Sequence, residues 1–152
     1  MNSMNALSTL SLSDNPMIWL LVVAAGTVIF SLLEAWLATL IVYGKVSALK
    51  KVFPAPRYLI LSHVDYLMMA TLLSVTYFIC HHLEIELPLW VIIILCFGAI
   101  YNPFGFLLKA INPQAGNAET VFGRVMVCAG FLPTTIGFVY PMVVILAHLL
   151  QP

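Results

Sequence analysis

Apolar residues run in four long blocks, roughly 17–43, 58–80, 88–110 and 121–149, separated by short polar connections. Each block is long enough to cross the hydrocarbon layer, which takes about 20 apolar residues in an α-helix. Lipid offers the backbone no hydrogen bonds, so blocks of this kind are expected to be helical throughout. The pattern predicts an all-α fold: a polytopic membrane protein built as a four-transmembrane-helix bundle. A flexible segment, 1–16, precedes a single domain, 17–152.

The polar residues inside the blocks are few and ordered. The first block carries Thr27, Ser31, Glu34 and Ala38 at spacings of four, three and four, a small and polar stripe suited to close helix packing. In the second, about 100° per residue puts His63, Tyr66, Ala70, Ser74, Tyr77 and His81 on one face. Asp65 points nearly the opposite way, so His63 and Asp65 are not expected to serve one site within one subunit. The third block has Gly98, Tyr101 and Gly105 on one stripe, with Asn102 beside it. Pro103 lacks an amide donor, frees the carbonyl of Ala99 and predicts a kink; Asn102 is a candidate to satisfy that carbonyl. The fourth block has Gly123, Gly130 and Gly137 at intervals of seven, a smooth face for backbone approach, with Thr134 on the same side.

The connections carry their own signals. Asp14-Asn15-Pro16 reads as a helix start. Phe53-Pro54-Ala55-Pro56 excludes helix just before the second block. Asn112-Pro113-Gln114-Ala115-Gly116-Asn117 is a loop by composition. His81, His82, Glu84 and Glu86 in the outer connection read as a solvated loop rather than a metal site.

Composition removes whole classes of function. The chain is 62% hydrophobic and 8% charged, with a mean hydropathy of +1.06, which leaves no soluble domain and no room for a nucleotide-binding module. No glycine-rich phosphate loop is present, and no nucleic-acid partner is expected. Membrane lipids are the expected surroundings. Cys80, Cys96 and Cys128 fall in three different blocks without a C-x-x-C motif, so they read as small core residues rather than a thiol–disulfide relay. The first block has no basic segment ahead of it and is too long for a cleaved signal peptide, so it is expected to remain in the mature protein.

Net charge is zero, but the charges are sorted. Lys45, Lys50, Lys51, Arg57, Lys109 and Arg124, which are all the Lys and Arg, lie in or beside the first and third connections. The positive-inside rule places those connections in the cytoplasm and both termini outside. The expected location is a bacterial inner membrane, with the periplasm as the outside.

With that orientation, helix rise gives depth. Glu34 lies about 15 Å from Gly44, His63 about 9 Å from Arg57, and Tyr101 and Asn102 about 10–12 Å from Lys109. Glu34, His63, Asp65, Tyr101 and Asn102 therefore share one layer in the inner half of the membrane. Each alone has a structural explanation, such as a hydrogen bond to a neighbouring helix. Two carboxyl groups and an imidazole together are costly to keep in lipid, which favours function for the cluster.

The second block opens Ser62-His63-Val64-Asp65, and the third contains Tyr101-Asn102. With four spans, these motifs resemble the styrene oxide isomerases, and the general pattern is shared by the related hydroxylaminobenzene mutases. The resemblance covers most of the chain from the first span onward. It implies a homotrimer with ferric haem b held between subunits by His63 as axial ligand, near Tyr66. It implies a Lewis-acid isomerisation of a lipophilic aryl epoxide to an aldehyde, without redox turnover, with Tyr101 orienting the substrate. The family has an asparagine six residues after the histidine; that position is Met69 here, and Asn102 is the candidate to replace it. Glu34 and Asp65 would be supporting polar groups. A single axial histidine leaves an iron position open, as ligand chemistry requires. The competing readings are a haem-binding electron-transfer or sensor protein, and a small transporter or assembly subunit without a cofactor.

Overall fold

A computed structural model describes residues 15–115 and 120–151, the side chain of Phe122 excepted. Most of the described residues are helical, in helices α1 (Ile18–Val42), α2 (Ser47–Val52), α3 (Arg57–His82), α4 (Leu89–Ile111) and α5 (Val121–Leu149). Four of these are long and apolar enough to cross a membrane, and they form the bundle that the hydrophobic blocks predict. Their ends fall within two residues of the blocks, because each block is bounded by a residue that changes the backbone's options.

Local chemistry differs from one helix start to the next. At the start of α1, Oδ1 of Asn15 accepts from the amide of Met17 at 3.0 Å; Asp14 lies outside the described residues. Helix α3 begins directly after Pro56, whose fixed φ suits a helix entrance. Thr120 caps α5, its hydroxyl accepting from the amide of Gly123 at 3.0 Å. The six-residue α2 in the first connection has no counterpart among the apolar blocks. Both α4 and α5 remain single helices across Pro103, Pro133 and Pro141.

Helix α3 packs along both α1 and α4, while α5 packs along α4 and touches α3 only briefly. The bundle is thus a three-helix wedge of α1, α3 and α4 with α5 laid on the far side of α4. The α4–α5 seam is close. A Cβ added at Gly98 would lie 2.9 Å from Cα of Thr134, and one added at Gly137 would lie 3.2 Å from Leu95. Gly130 faces the same seam with more room, 3.5 Å from Tyr101 and Asn102.

The outer surface of the bundle is apolar as well as its core, and several polar groups lie inside. Ile29, Leu33, Trp36, Phe78, Ile93 and Phe131 are exposed, while Thr27, Ser31, Glu34, Ser62, Asp65 and Thr76 are buried. Lipid is as apolar as leucine, so burying leucine gains little and burying polar groups against each other gains most. One cysteine expectation needs correction. Cys80 is buried and Cys96 half-buried, but Cys128 is exposed. An outward cysteine costs nothing in lipid, so burial does not follow from the residue type.

Two apolar clusters make up the core. The larger includes Ala24 of α1, Met69, Ala70 and Leu73 of α3, and Leu95 and Ala99 of α4. The smaller is Ala38, Ile41, Leu59 and Ala110. Between them, on α1, α3 and α4 alike, lies a belt of polar residues.

Candidate functional site

The belt holds Ser31, Glu34, Ser62, His63, Asp65, Tyr66, Tyr101 and Asn102, so the residues expected to share one depth do lie between the same two apolar clusters. They do not converge on one pocket. Consecutive residues on a helix point about 100° apart, and α3 distributes its polar groups among its neighbours accordingly.

Toward α1, His63 meets Ser31. Nδ1 of His63 lies 2.6 Å from Oγ of Ser31 and 2.9 Å from its carbonyl oxygen. The Ser31 hydroxyl donates to the His63 carbonyl at 2.9 Å. The serine has one hydroxyl proton, and that bond uses it. A carbonyl 2.9 Å from Nδ1 can only accept, so Nδ1 carries the ring proton. With the proton assigned to Nδ1 in this way, the lone pair of a neutral ring is on Nε2, which has no hydrogen-bond partner among the described residues. The side chain is half-buried, on a face flanked by the exposed Ile60 and Val64.

In the interior, Ser62 joins three helices. Its hydroxyl lies 2.9 Å from Oε1 of Glu34 and 3.3 Å from the carbonyl oxygen of Pro103. Glu34 is 3% exposed, and its Oε2 is buried without a partner among the described residues. The hydroxyl of Tyr66 donates to the carbonyl of Ile100 at 3.0 Å, and its ring meets Phe30 edge-on at 5.1 Å. Tyr66 is therefore a tie between α1, α3 and α4. Its ring is buried and its hydroxyl is engaged inside the subunit.

Toward α4 and α5, Asn102 donates to Oδ2 of Asp65 across a long 3.4 Å. The amide of Asn102 is thus spent on Asp65, not on the carbonyl that Pro103 frees. Tyr101 stacks on Phe97 and donates its hydroxyl to Sδ of Met126 at 3.0 Å. Asp65, Tyr101, Asn102 and Met126 line a cleft of about 860 Å³ between α3, α4 and α5. The cleft exists because α5 follows α4 and leaves α3. Met69 is in its wall, and His63 is not.

Nothing in the sequence marks Ser31 and Ser62 as partners of His63 and Glu34, although Ser31 belongs to the polar stripe of α1 and Ser62 directly precedes His63. Helical periodicity says which face a residue occupies; which neighbour covers that face depends on the order of helices around the bundle. No group of three or more His, Cys, Asp or Glu able to hold a metal ion occurs among the described residues. A haem needs only its axial ligand from the protein, and His63 with a free Nε2 is of the required form. The chain was compared with protein-family models, curated proteins and solved structures, and none matches.

Proposed function

We propose that the chain is a membrane haem b protein that holds ferric iron through Nε2 of His63, and that it resembles an epoxide isomerase. The observation that carries this reading is the clamp on Nδ1. A ligating histidine characteristically donates its other nitrogen to a carbonyl or carboxylate, which fixes tautomer and ring orientation. Ser31 supplies both acceptors here. The half-exposed position suits a group shared between subunits, as the homotrimer implied by the resemblance requires. When bound, ferric haem with one protein ligand supplies a Lewis-acid position for an epoxide oxygen.

The chain's own contribution is orientation and exclusion of water. Sδ of Met126 is a weak acceptor, so the Tyr101 hydroxyl can leave it for a substrate oxygen at small cost. Asp65 fixes which way the Asn102 amide faces. His63 and Tyr101 lie on different sides of α3, so both reach one substrate only if the Tyr101 cleft of one subunit faces His63 of another. The same separation favours a second reading, a haem sensor or electron-transfer protein without turnover. In either reading the membrane is a bacterial inner membrane, with the α1–α3 and α4–α5 connections cytoplasmic.

The test is the absorption spectrum of detergent-purified protein made with ample haem supply. A Soret band is expected, lost in His63→Ala and kept in His148→Ala. A colourless wild-type protein overturns the proposal. Conversion of an aryl epoxide to an aldehyde by the ferric protein, without an electron donor, separates the isomerase from the sensor.

A further inference from the structure

We infer that the cleft between α3, α4 and α5 is a binding site for a lipophilic organic cation, an alkyl- or arylammonium compound, whose charge is met by the carboxylate of Asp65. The inference does not rest on the haem reading, since the cleft excludes His63.

The cleft has the dimensions and lining of a ligand site. Its volume of about 860 Å³ falls within the roughly 300–1,000 Å³ typical of small-molecule pockets. The walls are mainly apolar, and the polar groups are few. Asp65 is the group without a match. It is 9% exposed, its Oδ2 has only the 3.4 Å contact to Asn102, and its Oδ1 has no donor among the described residues. No cationic side chain pairs with it there. A carboxylate in an apolar setting is stabilised chiefly by an opposite charge, so a resident cation removes the largest unfavourable interaction in the cleft.

The remaining lining suits the same class of ligand. The rings of Tyr101, Phe104 and Phe131 border the space, and aromatic faces attract a desolvated ammonium group. Met68 adds a polarizable wall. Lys109 also borders the cleft, but it lies seven residues beyond Asn102 on α4, about 10 Å further along the helix. Its backbone thus lies about two helical turns from Asn102, the residue that meets Asp65. A carboxylate that stabilises a bound cation also stabilises positive charge developing on a substrate carbon, so an epoxide-opening reaction would use Asp65 in the same sense.

The test uses full-length protein in lipid nanodiscs, with empty nanodiscs as the control for partition. Saturation-transfer NMR would compare benzyltrimethylammonium with neopentylbenzene, a neutral molecule of nearly the same shape. The cation is expected to bind at least tenfold more tightly than the neutral analogue. Asp65→Asn keeps the shape and should abolish that preference. Gly105→Leu fills the cleft at a position where an added Cβ meets nothing within 4 Å, so the helix should be undisturbed and cation binding should be lost. Absence of cation binding, equal binding of the neutral analogue, or unchanged preference in Asp65→Asn each overturns the inference. A protein that lacks haem leaves this test unaffected, so failure of the two readings can be told apart.

Discussion

Ser62 Oγ lies 2.9 Å from Oε1 of Glu34, and it is the one hydrogen-bonding partner that this buried carboxyl has among the described residues. The pair ties α1 to α3, and the weaker contact of Ser62 with the Pro103 carbonyl extends the tie to α4. Ser62→Ala is therefore expected to destabilise the bundle by about 1–3 kcal/mol, the cost of leaving a buried polar group unpaired. Glu34→Gln retains an acceptor for Ser62 and should unfold close to wild type. Denaturation in mixed micelles reads both, and a Ser62→Ala variant as stable as wild type would show that the bond has no net worth.

Ser31 offers a finer test of the histidine clamp. Ser31→Ala removes the hydroxyl bonded to His63 but leaves the Ser31 carbonyl as an acceptor. Loss of a partner to a metal-bound histidine typically weakens binding about 10–100-fold. With one acceptor left, the lower end is expected, about tenfold faster haem transfer to an acceptor apoprotein. Transfer at the wild-type rate would mean that the hydroxyl does not hold the ring.

The α4–α5 seam distinguishes two of its glycines, Gly98 of α4 and Gly130 of α5. An alanine at Gly98 would bring its Cβ to 2.9 Å from Cα of Thr134, so the backbones must part. Overpacking of this kind costs roughly 1–3 kcal/mol. Gly130→Ala meets its neighbours at 3.5 Å, an ordinary contact, and should be nearly neutral. Unfolding curves that rank the two variants the other way would contradict the packing of α5 on α4.

Tyr101→Phe tests the isomerase reading with almost no change in volume. The bond to Met126 is weak, so folding and haem content should survive. Loss of one positioned donor near a developing oxyanion typically costs about 3 kcal/mol, or roughly a hundredfold in rate. Epoxide turnover unchanged in this variant would leave Asn102 as the next candidate donor.

Reporter fusions test orientation. Fusions after Lys51 and after Gln114 should report cytoplasm, and one between His82 and Glu86 should report the outside, because every Lys and Arg lies at the first pair of positions' end of the bundle. The reverse pattern would invert the bundle without altering the polar belt.

The sequence by itself determined the four spans and, to within two residues, their ends, because membrane thickness sets the length of an apolar block and residues such as Asn15 and Pro56 bound the blocks by local chemistry. It also determined that Glu34, His63, Asp65, Tyr101 and Asn102 share a depth, since rise per residue is a property of one helix. Periodicity was enough to separate His63 from Asp65 around α3. What it could not decide was which helix covers each face. That Ser31 holds His63, that Ser62 serves Glu34, and that Asn102 turns to Asp65 instead of the carbonyl freed by Pro103 all depend on how α1 and α4 pack against α3 and against each other. The cleft likewise follows from α5 lying along α4 and away from α3. Helix order around a bundle is set by the sum of many weak contacts between distant segments, and no local pattern of residues records it.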